Sequence, residues 1–114
     1  MDDCIFCKII AGDIPSEILY RDDKVIAFRD VNPVAPTHIL IIPVEHLATT
    51  RDIPNENTSL TGKMVQTANQ LAEMEGISEN GYRLVINCGE QGGQVVGHLH
   101  MHLIGGRQLS SALG

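Results

Sequence analysis

Hydrophobic residues along this chain follow two spacings, one typical of buried strands and the other of an amphipathic helix. Residues 37–44, THILIIPV, form a continuous apolar run of strand length, which predicts a strand buried on both faces. From about residue 57 to residue 75, apolar side chains recur at positions i, i+4, i+8 and i+11 of one helical face. These side chains are Leu60, Met64, Ala68 and Leu71. We therefore expect one long helix here, ended by Gly76.

Shorter elements are predicted on both sides of these two. CIFCKIIA at residues 4–11 is predicted to form a short helix that stops at Gly12. The pattern of residues 17–31 predicts two short strands joined by a turn at Asp22–Asp23, and GYRLVINCG at residues 81–89 predicts another strand. A β-rich order with one long and one short helix is typical of an α+β fold with a mostly antiparallel sheet.

The segment GHLHMHLIGG at residues 97–106 holds three of the chain's five histidines, at alternate positions. Successive side chains of a strand point to opposite faces, so His98, His100 and His102 would share one face. A helix would turn by roughly 100° per residue and separate the three imidazoles. We therefore predict a strand with its apolar face in the core and its imidazole face lining a cleft. The plainer alternative is a half-exposed strand with polar residues on its outer face.

The composition narrows the class of protein. A chain of 114 residues is long enough for one domain with its own core, and we expect residues 1–114 to form that domain. A hydrophobic fraction of 43% and a charged fraction of 19% are typical of a soluble globular protein. No apolar run approaches the ~20 residues that span a bilayer. The net charge of −6 argues against a nucleic-acid partner, because phosphate backbones require clustered Lys and Arg.

The number of cysteines and the first residues of the chain predict its cellular compartment. The chain has three cysteines, an odd number, and it begins MDDCIFCKII, without the basic and long apolar regions of a secretory signal. We therefore expect reduced thiols, a cytoplasmic location and no membrane partner.

A glycine-rich turn, NCGEQGGQVVG at residues 87–97, leads directly into the histidine segment. Gly92 and Gly93 allow close backbone approach, and successive N–H groups in such a turn form an anion-binding nest. A simple hairpin connection is the commoner explanation for such a turn alone. Beside three imidazoles, however, a phosphate held by backbone N–H groups next to a nucleophilic histidine is a workable site for phosphoryl or nucleotidyl transfer.

Together these motifs resemble the histidine-triad (HIT) family. The triad followed by Leu103–Ile104 matches the family signature, and other stretches are similar to its Hint branch of nucleoside phosphoramidases. These stretches are IFCKIIAGDIP, FRDVNPVAPTHILIIP, GYRLVIN, GGQ and GGR. The resemblance extends along nearly the whole chain. It implies a HIT fold with a mostly antiparallel sheet of about five strands, and a homodimer joined through the long helix and the adjacent strand.

The resemblance implies hydrolysis of purine nucleoside 5′-phosphoramidates, or of related adenylates, through a nucleotidyl-histidine intermediate. His100 matches the nucleophile, whose other ring nitrogen is oriented by a backbone carbonyl. His102 matches the histidine that contacts the phosphate. His38 matches the fourth family histidine, which lies near the nucleophile and helps to relay protons. His98 completes the triad and is counted with the catalytic residues, and no cofactor is needed for this chemistry.

The resemblance also implies a set of nucleotide-binding residues. Asp30 matches the acid that holds the ribose hydroxyls, although an aspartate before a Pro-rich loop is by itself more typical of a turn. Phe28 and Val31 lie where the family builds its base pocket. The phosphate-binding turn matches Asn87, Gly93, Gln94 and the backbone of Val95. Animal Hint proteins carry a serine at this last position, and valine lacks the hydroxyl thought to assist the leaving group.

The N-terminal cysteines have the spacing of half a zinc site, and a reducing compartment favours a metal over a disulfide. Some microbial HIT proteins and the related galactose-1-phosphate uridylyltransferases complete such a site with two histidines. The resemblance therefore implies a structural Zn²⁺ held by Cys4, Cys7, His46 and His98. The alternative is that both cysteines are small hydrophobic residues of a short helix and that His46 is a surface residue.

Three other functions are left open. The chain would also suit a dinucleoside polyphosphate hydrolase, or a nucleotide-binding regulatory protein with weak turnover. A third possible function is that of a metalloenzyme, in which the triad histidines themselves bind a catalytic metal, as His₃ sets do. That last interpretation leaves the glycine-rich turn and Asp30 without a role.

Overall fold

The computed structural model describes residues 3–114, whose strands form a five-stranded sheet. The strands are β1 (Ile18–Arg21), β2 (Val25–Arg29), β3 (Thr37–Pro43), β4 (Tyr82–Ile86) and β5 (Met101–Gly105). Their order is β1-β2-β3-β5-β4, and each neighbouring pair is antiparallel. The sheet is accompanied by α1 (Ile5–Ala11), α2 (Ser59–Met74) and a short 3-10 helix (Thr50–Asp52). The predicted α+β fold with one long and one short α-helix is therefore confirmed, and the 3-10 helix was not predicted.

A hydrogen bond marks the start of α1, and glycines mark the ends of both α-helices. The Sγ of Cys4, before the first residue of α1, accepts a hydrogen bond from the backbone N–H of Cys7 at 3.3 Å. Gly12 ends α1 in the left-handed conformation, with φ 81°, and its N–H bonds carbonyls of the last turn. Gly76 has φ 75° shortly after α2. Both glycines therefore act as the helix terminators that the sequence predicted.

The sheet separates two hydrophobic clusters, because successive strand residues face opposite sides. On one face, α2 packs against residues that include Ile39 and Ile41 of β3. On the other face, Phe6 and Ile9 of α1 pack with Phe28 of β2. All seven residues of β3 are buried, which confirms the strand predicted to be buried on both faces.

The histidine segment differs from the prediction in its first half. β5 begins only at Met101, so His98 and His100 precede it in irregular backbone, and the prediction of one strand through all three histidines is wrong. The physical reason is that the N–H of Leu99 bonds the carbonyl of Leu47, at 2.7 Å, in the loop that follows β3. The apolar side chains of the segment still lie in the core as predicted, in the cluster that α2 covers, and they are Leu99, Met101 and Leu103.

An ion pair ties the end of α2 to the sheet. Arg29 of β2 donates two hydrogen bonds to the carboxylate of Glu75, at 2.9 and 2.8 Å, and the hydroxyl of Thr37 adds a third at 3.3 Å. The Arg29 guanidinium holds the pKa of Glu75 below its usual value. These contacts fix the adjoining ends of β2 and β3.

Within residues 3–114, no helix combines the length and the hydrophobicity needed to cross a bilayer.

Truncation of Met64 tests the packing of α2 on the sheet. Its side chain is fully buried, whereas Met74 on the same helix is 75% exposed. We expect Met64→Ala to lower the free energy of unfolding by about 2–5 kcal/mol, because it leaves a cavity in the core. The matched control Met74→Ala should change it by no more than about 0.5 kcal/mol. Denaturant unfolding measures both, and equal losses would contradict this packing.

Candidate active site and metal centre

The candidate residues gather on the sheet face opposite α2, beside α1. His102 lies on β5 between Leu40 of β3 and Val85 of β4. The ring of His100 is 5.0 Å from that of His102, measured between centroids, and Phe6 contacts it edge to face at 5.2 Å. The rings of His98, His100 and His38 are buried, and His102 is half-buried.

One backbone group determines where His100 carries its proton. Its Nδ1 lies 2.7 Å from the carbonyl oxygen of His98. Because a carbonyl only accepts hydrogen bonds, Nδ1 carries the hydrogen. Nε2 then has a free lone pair whenever the ring holds a single proton, which is the state that a nucleophile requires.

Hydrogen bonds also determine where His38 and His102 carry their protons. The backbone N–H of Val34 donates to Nδ1 of His38 at 3.1 Å, so the hydrogen of this imidazole is on Nε2. That N–H in turn donates to Nδ1 of His102 at 2.9 Å. His102 therefore keeps its own proton on Nε2. The hydrogen bond of His38 thus goes to the candidate phosphate contact, whose ring lies 5.0 Å from that of the candidate nucleophile, measured between centroids.

Both rings of this pair are neutral at neutral pH. Burial lowers the pKa of His38, against the opposing effect of the Asp30 carboxylate. Burial also lowers the pKa of His102 to about 4, and the imidazoles of His100 and His38 act in the same direction. A proton on Nδ1 of His102 would face the N–H of His38, so the hydrogen bond between them also favours the neutral ring.

The predicted nucleoside-binding residues lie around the end of β2. One oxygen of Asp30 accepts the backbone N–H of Asn32 at 2.8 Å, the turn contact typical of aspartate. The other oxygen lies 3.4 Å from Nε2 of His38. Phe28 is buried in the α1-side cluster, whereas Val31 is 85% exposed. Of the two predicted base contacts, only Val31 is therefore at the surface.

Two amide side chains hold the glycine-rich turn. Nδ2 of Asn87 donates to the carbonyl of Gly92 at 2.7 Å. Gln94 makes three hydrogen bonds, two from Nε2 to the carbonyls of Ala48 and Val96, at 2.7 and 2.9 Å, and one from the N–H of Gly89 to Oε1, at 2.9 Å. Each amide is therefore occupied in bracing the backbone of the turn.

The path of this turn depends on glycine at two positions. A Cβ on Gly92 would clash with the carbonyl oxygen of Cys88, and Gly93 has φ 82°. Val95, which follows, is 92% exposed, so its side chain does not hold the turn.

The four predicted metal ligands converge on one point, since the ligand atoms of Cys4, Cys7, His46 and His98 all lie within 4.8 Å of one another. Nδ1 of His98 is 3.1 Å from Nδ1 of His46 and 3.5 Å from Sγ of Cys4. Sγ of Cys7 is 3.2 Å from Nδ1 of His46. A tetrahedral zinc ion separates its nitrogen and sulfur ligands by about 3.3–3.8 Å. The donor types fit a closed Cys₂His₂ zinc site, and the three distances lie within that range or at most about 0.2 Å below it.

The backbone also orients His98 for this role. Its Nε2 donates to the carbonyl of Pro43 at 2.9 Å, so Nδ1 is unprotonated and faces the thiols. Burial lowers the pKa of His98, which keeps the ring neutral. Burial raises the pKa of the Cys7 thiol, and the neighbouring Cys4 acts in the same direction. A divalent cation would offset that effect by binding the thiolates.

A metal shared by the three triad histidines finds no support in the structure. Among residues 3–114, the groups spaced to hold an ion are the Cys₂His₂ cluster and a second set formed by Asp30, His38 and His102. The triad imidazoles instead have three different partners. His98 faces the Cys₂His₂ cluster, His100 bonds a backbone carbonyl, and His102 bonds His38.

Sequence reasoning missed three residues of the site. Phe6 packs edge to face on the rings of His98 and His100, with centroids 5.9 and 5.2 Å apart. Its position inside the Cys-x-x-Cys segment was a usable signal, because α1 must bury one face. Pro43 and Val34 act through backbone atoms, which carry no side-chain signal in the sequence.

Comparison with known proteins relates these features to a family. The HIT domain family matches residues 11–109. The chain is 52% identical over 112 residues to the purine nucleoside phosphoramidase of Escherichia coli (strain K12), covering 98% of this chain and 94% of that protein. It is 47% identical over 110 residues to a 14 kDa zinc-binding protein of Brassica juncea, covering 95% and 96% of the two chains. A HIT family hydrolase from Legionella pneumophila Philadelphia 1 superposes with a TM-score of 0.94 at 47% identity, covering 98% of this chain and 100% of that one.

The buried imidazoles predict a loss of stability in mild acid. The pKa of His102 is about 4 in the folded chain, against about 6.5 for an unperturbed histidine. The unfolded chain therefore binds more protons in this range, so the contribution of His102 is complete above about pH 6.5 and is lost as the pH falls toward about 4. We expect Tm to fall as the pH is lowered from about 6.5 to about 4. The substitution His102→Gln should make this dependence of Tm on pH less steep. Thermal unfolding at several pH values measures both, and an unchanged slope in the variant would contradict the assignment.

Proposed function

Because this chain belongs to the histidine-triad (HIT) domain family, we propose that it hydrolyses purine nucleoside 5′-phosphoramidates, or related adenylates, through a nucleotidyl-histidine intermediate. The observation that carries the proposal is the proton position of His100, whose Nδ1 donates to a backbone carbonyl and leaves a lone pair on Nε2. The E. coli relative, named a purine nucleoside phosphoramidase, supports the substrate class. In this proposal residues 1–114 form a single HIT domain.

The reaction proceeds in two steps at His100. Its Nε2 attacks the α-phosphorus, and the P–N bond breaks as the nucleotidyl group passes to the imidazole. The departing amine takes up one proton from solvent, and Val95 supplies no hydroxyl that could pass this proton on. Water then attacks the phosphorus of the intermediate and gives up one proton to solvent as the bond between phosphorus and Nε2 breaks. This step releases the nucleoside 5′-monophosphate and restores the neutral ring of His100.

The phosphate is held between His102 and the glycine-rich turn. The Nε2–H of His102 donates to a phosphoryl oxygen, and the backbone N–H of Val95 supplies a further donor. The N–H groups of Gly93 and Gln94 bond the carbonyls of Glu90 and Gly89, each at 3.0 Å, and so fix the turn beside the phosphate. The side chains of Asn87 and Gln94 act indirectly, since their hydrogen bonds fix the backbone of the turn. A few fixed donors suffice for a mononucleotide, so the negative net charge of the chain is compatible with this substrate.

The nucleoside lies over the end of β2. Asp30 accepts hydrogen bonds from the ribose hydroxyls, the exposed Val31 contacts the purine base, and Phe28 supports this loop from the core. The partners in this proposal are thus a purine nucleotide and a second copy of the chain, with no nucleic acid and no membrane.

The homodimer is formed through α2 and an adjacent strand. β4 is at one edge of the sheet, so its outer backbone groups are available for pairing with a second copy. The location is cytoplasmic, which is supported by the free thiols of Cys4, Cys7 and Cys88.

A structural Zn²⁺ is part of the same proposal, held by Cys4, Cys7, His46 and His98. The spacing of the four ligand atoms supports it, as does the zinc-binding name of the Brassica relative. The ion would tie the start of α1 to the loop after β3 and to the segment before β5. No cofactor takes part in the chemistry at His100.

Removal of the nucleophile tests the reaction. We expect His100→Ala to lower turnover of an adenosine 5′-phosphoramidate by several orders of magnitude, because no other group forms the covalent intermediate. The affinity for AMP, measured by calorimetry, should change little, since Asp30 and the glycine-rich turn are intact. A near-normal kcat would contradict the covalent mechanism. Faster hydrolysis of a dinucleoside polyphosphate by the unmodified protein would favour the alternative hydrolase.

Elemental analysis of untagged protein tests the metal. We expect about one zinc per chain, and chelation should lower Tm because a metal bound only by the folded state adds to its stability. Cys7→Ser should lose the metal, whereas Cys88→Ser, which alters the cysteine outside the cluster, should keep it. Protein that is free of metal and melts at the same temperature with added zinc would exclude the site.

A further inference from the structure

Asp30 has two contacts within the protein in addition to the ribose role proposed for it. One carboxylate oxygen accepts the N–H of Asn32 at 2.8 Å, and the other lies 3.4 Å from Nε2 of His38. The side chain of His38 is 5% exposed and that of Asp30 is 20% exposed, so this approach is only partly screened by water. One carboxylate oxygen of Asp30 and one ring nitrogen each of His38 and His102 lie within 4.8 Å of one another.

The carboxylate favours one proton arrangement in the two imidazoles. An ionised carboxylate only accepts, so Oδ2 attracts a hydrogen on Nε2 of His38. The N–H of Val34 requires the same tautomer from the other side of the ring. That hydrogen, donated to Nδ1 of His102, keeps the proton of His102 on Nε2.

We propose that Asp30 is a positioning residue that acts through His38 to hold the proton of His102 on Nε2, where it faces the phosphoryl group of the substrate. This inference rests on the proposed function for the identity of that group. The same carboxylate then serves recognition of the ribose and recognition of the phosphate. Substitution of Asp30 therefore affects kcat even for a substrate that has no ribose hydroxyls.

Asp30→Asn is the sharpest substitution available. Asparagine keeps an oxygen for the N–H of Asn32, so the turn is retained. Its amide nitrogen then points toward Nε2 of His38 and places a donor against a donor. The variant thus replaces the support of the carboxylate for the Nε2–H tautomer with an opposing donor, and only the N–H of Val34 still favours that tautomer, while the shape changes little.

Steady-state kinetics with two substrates tests the proposal. The substrates are an adenosine 5′-phosphoramidate and its 2′,3′-dideoxy analogue, which offers no hydroxyl to Asp30. We expect Asp30→Asn to lower kcat by about 10- to 100-fold on both substrates, the loss typical of a group that orients a functional histidine. KM should rise more for the ribose substrate. Equal kcat of the variant and the unmodified protein on the dideoxy substrate would overturn the proposal and leave Asp30 as a ribose contact.

A double substitution tests the route through His38. In a His38→Gln background, Asp30→Asn should have little further effect on kcat for the dideoxy substrate, because the relay is already broken. An undiminished effect would overturn the route. Asp23→Asn, at an exposed carboxylate in the turn between β1 and β2, is the matched control and should leave kcat and KM unchanged.

Nitrogen NMR of the histidine rings tests the proposal without any substrate. In the unmodified protein His102 should show a neutral ring protonated at Nε2, and in Asp30→Asn a mixture of tautomers. Identical His102 shifts in the two proteins, with thermal unfolding confirming that both are folded, would overturn the inference. If the unmodified protein cleaves no phosphoramidate, the proposed function fails and the NMR result alone decides the role of Asp30.

Discussion

The hydrogen bond from Nδ1 of His100 to the carbonyl of His98 is the interaction on which the rest of the site depends. A carbonyl orients an imidazole only if its own peptide group is fixed. Here the side chain of the same residue provides the fixation, because Nε2 of His98 bonds the carbonyl of Pro43 and Nδ1 faces the Cys₂His₂ cluster. The metal-ligand cluster and the candidate nucleophile are therefore joined through a single residue.

Helix α1 completes this arrangement from one side of the sheet. Cys4 and Cys7 approach His98, while Phe6, between them in sequence, packs on the rings of both His98 and His100. The cap and first turn of the short helix thus contribute two candidate ligands and an apolar wall within four consecutive positions. Burial also lowers the pKa of His98, whose ring Phe6 covers, since a dry site disfavours the charged ring.

The sequence predicted those features that depend on local periodicity. The two faces of residues 98–103 follow from the two-residue repeat of extended backbone, and α2 follows from its apolar spacing. The start of β5 was mispredicted because the carbonyl of Leu47, far away in sequence, accepts a hydrogen bond from the backbone N–H of Leu99. The proton positions of the imidazoles were out of reach for the same reason, since they depend on backbone atoms that only the fold brings near. Family resemblance predicted His46 beside His98 as a metal ligand, and the fold brings the two rings together although 52 positions separate them.

The bracing of the glycine-rich turn by Gln94 has a consequence for substitutions in this turn. All hydrogen-bonding atoms of the Gln94 amide group are committed to the backbone, whereas the next side chain, Val95, projects into solvent and supports nothing. The two neighbouring positions are therefore under opposite constraints. Substitution at position 95 therefore costs the fold almost nothing, whereas substitution of Gln94 removes three hydrogen bonds from the turn. Side-chain chemistry can thus change beside the turn without altering the path of its backbone.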